Sequence, residues 1–279
     1  MYVILLLCLL VRAGTTMNAA ATACHLFVTA VLPGLFPYLV IVLMLASRVK
    51  QLQPGLILLL GWGGGSPAGA RLIPLCPELK YREQVRLAIS CATMSPMFLF
   101  GTVGGWLQSS RAGAAILLSV IAGGWLAGEI AGLCNRSAPF SQPQLDVSFP
   151  NEGNFEALSF GVAVEQAART MLLVCGTMVM LRVFAALAAE ILPEGLVLPV
   201  TTLLEVTTGT SAIAALPLPL ALRTALIAGA CGFGGMAILM QNRAVLGENF
   251  MSLALQIAFQ LLHGFFSFLI ALGLMCLIG

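Results

Sequence analysis

LLLGWGGGSPAGARLIPLC, residues 58–76, begins as an apolar helix and then breaks its own pattern. Gly61, Gly63, Gly64 and Gly65, a Ser66-Pro67 pair, Gly69 and Arg71 stand where more leucine is expected. Residues 55–76 form one apolar stretch about the length of a membrane span, but the centre is glycine-rich. It divides into two half-helices of about seven or eight residues, each too short to cross a hydrocarbon core roughly 30 Å thick at 1.5 Å per residue. A re-entrant hairpin fits this pattern: it enters and leaves on one side, with its tip near mid-membrane.

The rest of the chain supports a membrane setting. It has 279 residues, 59% hydrophobic and 9% charged, with a mean hydropathy of +1.01. Apolar runs near spanning length recur throughout, which predicts an all-α polytopic membrane protein, multi-pass in a cell membrane. The runs are continuous and rich in Ala and Leu, so a strand reading fails. A net charge of +2 gives no reason to expect nucleic acid as a partner. The eight cysteines contain no C-x-x-C pair and read as small membrane hydrophobes, with no metal or other cofactor implied. Residues 1–11 resemble a signal-peptide core but lack a clean cleavage site, and read as the start of a retained membrane segment.

Along the chain, residues 14–32 are milder and suit an interfacial helix. Residues 34–46 span. The interrupted stretch follows. Residues 81–108 are broken at Ser95-Pro96, and 112–133 span again. Residues 135–157 form a polar linker. The cycle then repeats: 171–192 spans, 196–216 is interrupted by EVTTGT, 220–246 is broken at GFGG, and 250–278 spans. The halves, 1–134 and 158–279, match at a shift of about 139 residues. Ser66 falls on Glu205, and Ser95-Pro96-Met97 on Gly234-Gly235-Met236. Counting crossings gives an odd number in the first half, so the repeats are expected to be inverted. Charge agrees: Arg48, Lys50, Lys80, Arg82, Arg86 and Arg136 fall on one side, expected to be cytoplasmic, and Arg111 and Arg223 on the other.

Irregular backbone at membrane depth is tolerated only inside protein or beside a water-filled cavity. Two hairpin tips and two broken helices from inverted halves are expected to meet there, with half-helix N-termini offering free N–H groups to an anion. The candidate site residues are Ser66, Gly69, Arg71, Thr93, Ser95, Glu205, Thr207, Thr208, Gly234 and Gln241. Two readings stand for Arg71: it snorkels toward the polar stretch at Pro77, or it holds an anion near a half-helix N-terminus. Two also stand for Glu205: a helix cap, or a coupling site for sodium or protons with Arg71 as counter-charge. Gln241 and Asn242 suit either the cavity or a helix end. His25 and His263 read as packed or interfacial.

These motifs resemble the YlbJ-type sporulation integral membrane proteins, built from two nucleoside-recognition (Gate) domains and related to spore maturation proteins and concentrative nucleoside transporters. LPGLFPYLV (32–40) is similar to the family's first spanning helix. GSPAGAR (65–71) resembles its Gly-x-Pro-x-Gly-Ala-Lys hairpin, with Arg71 in the lysine place. SPMFLFGTVG (95–104) is similar to its first break, with Ser95 for glycine, and LLEVTTG (203–209) and FGGMAILMQ (233–241) to the second hairpin and break. The chain departs from the pattern at Ala92, Ala237 and Leu239, where Asn, Ser and His are expected. The resemblance implies transport of a small anionic metabolite, dipicolinate-like or nucleoside-like, in sporulation. The partners implied are the lipid bilayer and a small-molecule substrate, with a homo-oligomer compatible. One rival is a non-transporting assembly or channel partner in spore-envelope formation. The other is an intramembrane serine protease using Ser66 and His263, disfavoured because Pro67 removes an N–H that an oxyanion hole would use.

Overall fold

The structure is a computed structural model that describes residues 2–49, 52–76, 78–135 and 158–278. The expected linker at 135–157 lies outside the described residues except for Asn135, as do Lys50 and Arg136. The described residues are helical, without strands. Five helices are long and apolar enough to cross a membrane.

After the short α1 (Tyr2–Val11) comes α2 (Ala13–Arg48), one helix of 36 residues. Residues 14–32 are therefore not a separate interfacial piece. Their polar residues sit on the first half of a long helix whose 27–31 segment is π-helical. Pro33 and Pro37 follow and cannot donate to carbonyls a turn back; the wider π turn absorbs that loss.

The opening motif folds as a helical hairpin. Pro54 sits in the first turn of α3 (Pro54–Gly64), where a missing N–H costs nothing. Gly65 ends the helix at φ +68°, a conformation that needs glycine. The chain reverses through Ser66-Pro67 into α4 (Ala68–Leu72) and a 3₁₀ turn, Ile73–Leu75. A Cβ built on Gly61 would lie 3.2 Å from Gly69 Cα, so glycine on both legs lets them touch.

α5 (Tyr81–Ser90) leads into the first break. The non-helical residues are 91–95, slightly earlier than expected, because Pro96 opens the next helical piece, α6 (Met97–Trp106), and pushes Ser95 into extended backbone. α7 (Ser110–Cys134) is capped by the Ser109 hydroxyl, which accepts from the Ala112 N–H.

The same order of elements recurs. α8 (Phe160–Ala189) starts eleven residues before the expected 171. α9 (Glu194–Leu204) and α10 (Val206–Ala214) make a second hairpin, interrupted at Glu205 alone; VTTGT, expected to be irregular, is helix. Its legs close at Gly209, where a Cβ would lie 2.5 Å from Thr202 Cα. α11 (Leu220–Phe233) ends at left-handed Gly234 and α12 (Gly235–Leu246) follows, before α13 (Leu253–Ile278).

Contacts tie the ends of these elements together. The Leu158 N–H at the start of α8 donates to the Ser47 hydroxyl at the end of α2 (3.1 Å). The Cys76 thiol lies 3.5 Å from the Leu52 carbonyl, so the first hairpin leaves where it entered. Tyr81 donates to the Phe250 carbonyl, and Arg86 pairs with Glu129 on α7. At the other end Arg12 pairs with Glu190 beyond α8 (3.0 Å), and Arg223 on α11 donates to the Ala214 carbonyl at the close of the second hairpin.

Candidate functional site

Each hairpin tip lies against a break. A Cβ on Gly65 would meet Ser95 N at 2.5 Å, and the Ser66 N–H donates to the Thr93 carbonyl at 2.6 Å. In the second half a Cβ on Gly235 would meet Val206 N at 3.3 Å. Both tips, the first break and α12, the helix that follows the second break, then border a single cavity of about 50 Å3. A water needs roughly 10–15 Å3 on this scale, so the cavity has room for about three to five waters or a ligand of similar size.

Its polar wall is Ser66 from the first tip, Ser95 from the first break, Glu205 and Thr207 from the second tip, and Gln241 from α12. Its apolar wall comes from α2 (Val31, Leu35), the first break and α6 (Met94, Phe98) and α8 (Val174, Met178). Five of the ten expected residues therefore line it. The other five, Gly69, Arg71, Thr93, Thr208 and Gly234, are off the lining. Gly69 is buried between the hairpin legs, where a Cβ would lie 2.5 Å from Cys91 Cβ. Thr93 lends its carbonyl to Ser66, and Gly234 supplies the left-handed turn. Thr208 lends its N–H to Glu205. The hydroxyls of Thr93 and Thr208 are buried without a partner.

Arg71 is placed differently from expectation. It lies in the last turn of α4, not at an N-terminus, and off the cavity lining. A helix of five residues has too little dipole to favour or disfavour a cation at either end, so the helix gives Arg71 no need of a bound anion. Its Nε is buried without a partner. The ion pairs among the described residues are Arg12–Glu190, Arg86–Glu129 and Arg169–Glu165, so Arg71 and Glu205 form no direct ion pair.

Glu205 caps α10. Its Oε1 accepts from the Thr207 N–H at 2.8 Å and its Oε2 from the Thr208 N–H at 2.7 Å. The N–H groups expected to face an anion are thus already taken by the protein's own carboxylate, which is 1% exposed. α4, with five residues, is too short to supply the same field on the other side.

The remaining polar contacts cross between elements. The Ser66 hydroxyl donates to Asn242 Oδ1 (2.6 Å), linking the first tip to the second half. Ser95 donates to the Gly34 carbonyl (2.9 Å) and accepts from the Phe98 N–H. Gln241 Nε2 donates to the Thr177 hydroxyl of α8 (2.8 Å). Gln241 therefore belongs to the cavity, and Asn242 holds the tip beside it. His263 is fully buried on α13 and bonds the Val120 carbonyl at 2.9 Å. Ser66 and His263 are committed to different partners, which leaves no dyad between them. Of the three departures noted above, Ala237 alone is on the lining.

Sequence reading missed Thr177, Val174, Met178, Val31 and Leu35. Asn242 carried a signal, as an amide beside Gln241 in an apolar run. The apolar lining carried none, because a valine facing a cavity and a valine facing lipid look alike in sequence. Comparison with protein-family models, with curated proteins and with solved structures finds no match to this chain.

Proposed function

We propose that this chain is a membrane transporter for a small metabolite, working from a mid-membrane site between two halves of opposite orientation. The observation that carries the reading is the convergence of both hairpin tips, the first helix break and the helix that follows the second break on one cavity. Non-helical backbone inside a membrane protein is costly unless it is buried or lines an aqueous space. Two such tips and a break on one small cavity, with the second break leading into its wall, favour a transport site over packing defects.

The hairpins are re-entrant in this proposal. α3 and α9 have 11 residues each, about 16 Å at 1.5 Å per residue, half of a core roughly 30 Å thick. The first hairpin begins and ends near Ser47, Cys76 and Tyr81. The second begins four residues after Glu190, whose partner Arg12 marks the opposite end, and returns there through Ala214 and Arg223. Counting the broken 81–106 stretch as a sixth crossing, each half has three, and the second half runs inverted. Arg48, Lys80, Arg82, Arg86 and Arg243 gather near the first hairpin's base, which supports a cytoplasmic location for that side of the cell membrane.

The sporulation setting rests on the family resemblance alone. The cavity lining gives an anionic substrate no cation to bind, since its one ionisable residue is Glu205. Coupling to sodium or protons, if the transporter uses it, falls on the same carboxylate. Uptake of radiolabelled solutes by proteoliposomes tests the reading. Solute accumulation that needs the protein and is inhibited by excess unlabelled solute is expected. Binding without any flux would favour the assembly-partner alternative.

A further inference from the structure

We propose that the solute taken by this cavity is a small primary ammonium on a compact, branched apolar body. The inference rests on the transporter reading and names its substrate class. Charge is the first argument. Glu205 is the one ionisable residue on the lining, and each of its oxygens keeps a lone pair beyond the N–H it accepts. An unpaired acid at this depth is expensive, so a mobile positive charge is the natural partner. The guanidinium groups of Arg71 and Arg182, each with a buried Nε lacking a partner, are off the lining and form no ion pair with it.

Proton bookkeeping on the neutral groups points the same way. Ser95 spends its proton on the Gly34 carbonyl, which can only accept. Ser66 spends its proton on Asn242. Thr177 spends its own on the carbonyls of Leu173 and Val174, so toward Gln241 it can only accept. That fixes the amide orientation: Gln241 gives an N–H to Thr177, and its Oε1 remains an available acceptor. The protons left free on the polar wall are the Thr207 hydroxyl and the second Nε2 N–H of Gln241. The lone pairs of Glu205, Ser66, Ser95 and Gln241 Oε1 outnumber them, which suits a ligand with three N–H donors better than a carboxylate.

Size and the apolar wall set the rest of the ligand. About 50 Å3 accommodates roughly five non-hydrogen atoms, taking each as about one water. Leu35, Phe98, Val174 and Met178 offer a surface without hydrogen-bonding groups, matched by a short branched hydrocarbon.

The test uses three probes that share a branched isopropyl body, isobutylammonium, its isostere isobutanol and the one-atom-larger isobutyrate, titrated calorimetrically into the purified full-length protein. Isobutylammonium is expected to bind at least about tenfold tighter than isobutanol, with isobutyrate weakest; tenfold corresponds to about 1.4 kcal/mol. In Glu205→Gln the ammonium and the alcohol should bind alike, with the melting transition retained. The ranking on the native chain decides the matter if that variant does not fold. Equal or tighter binding of the alcohol or the acid, or no binding of any probe, would overturn the proposal. Flux separates the two claims. Uptake of the alcohol but not the ammonium sinks this inference and leaves the transporter, whereas tight ammonium binding without uptake leaves the site and sinks the transporter.

Discussion

The two hairpin tips occupy matching places in the two halves and solve the same problem with different chemistry. A tip turns one helix into another, which frees N–H groups that must find acceptors. The first tip uses three residues, Gly65-Ser66-Pro67, and no side-chain cap on α4; its Ser66 N–H goes to a backbone carbonyl of the neighbouring break. The second uses one residue, Glu205, whose carboxylate takes two N–H groups by itself. The first tip is thus closed by backbone shape and the second by a charge. The two tips share the demand for an acceptor but not its source, and the charge on the cavity comes from one half only.

That contrast predicts unequal sensitivity. Gly65→Ala should be the most damaging change. It places a Cβ at φ +68°, 2.5 Å from backbone that cannot swing aside. The combined backbone strain and overpacking come to roughly 3 kcal/mol or more. Gly235→Ala, at φ +69° with nearest atoms at 3.3–3.4 Å, should cost about half of that, mostly strain. Melting temperatures in detergent compare them. Equal shifts would mean that the first tip is not closed by shape.

The next effect concerns the link between halves. Asn242→Leu strands the Ser66 hydroxyl at a buried position, at a cost of about 1–3 kcal/mol. The Ser66→Ala, Asn242→Leu pair should lose less than the sum of the two single changes. Strict additivity in melting would show that the hydrogen bond contributes nothing.

Glu205→Ala removes the cap of α10 and should cost about 1 kcal/mol, whereas Glu205→Gln keeps an acceptor and should cost less. If Gln is as costly as Ala, the charge rather than the cap stabilises the second tip. Arg12→Ala should have the smallest effect, below about 1 kcal/mol, because the pair with Glu190 is exposed on the arginine side. A larger loss would mean that this end of the bundle depends on α2 meeting α8 there.

Much of the site could be read before folding. Glycine, proline, serine and an acid inside apolar runs mark places where a helix cannot continue cheaply; both tips and the first break meet at the cavity, and the second break lies three residues from the lining Ala237. What escaped depended on direction rather than composition. Arg71 reads as a site residue because it stands near a half-helix N-terminus and in the lysine place of the hairpin motif, but it sits off the cavity lining. The early start of α8 was hidden by Glu165, Gln166 and Arg169. Glu165 and Arg169 pair at i, i+4 on a largely exposed face, so the helix extends beyond its apolar part. The continuity of α2 was obscured by two prolines that a π turn accommodates. Cavity walls from α2 and α8 had no polar residue to announce them, apart from Thr177.

The central claim is that two hairpins enter from opposite sides. Sided labelling of their bases tests it directly, with single cysteines placed at the exposed Gln53, Glu78, Glu194 and Ala215 in a chain lacking its native cysteines. In sealed vesicles of one orientation, a membrane-impermeant maleimide should reach positions 53 and 78 from one side, and 194 and 215 from the other. If the two bases of either hairpin label from opposite sides, that segment crosses the membrane. If all four positions label from the same side, the halves are not inverted. Either result contradicts the account.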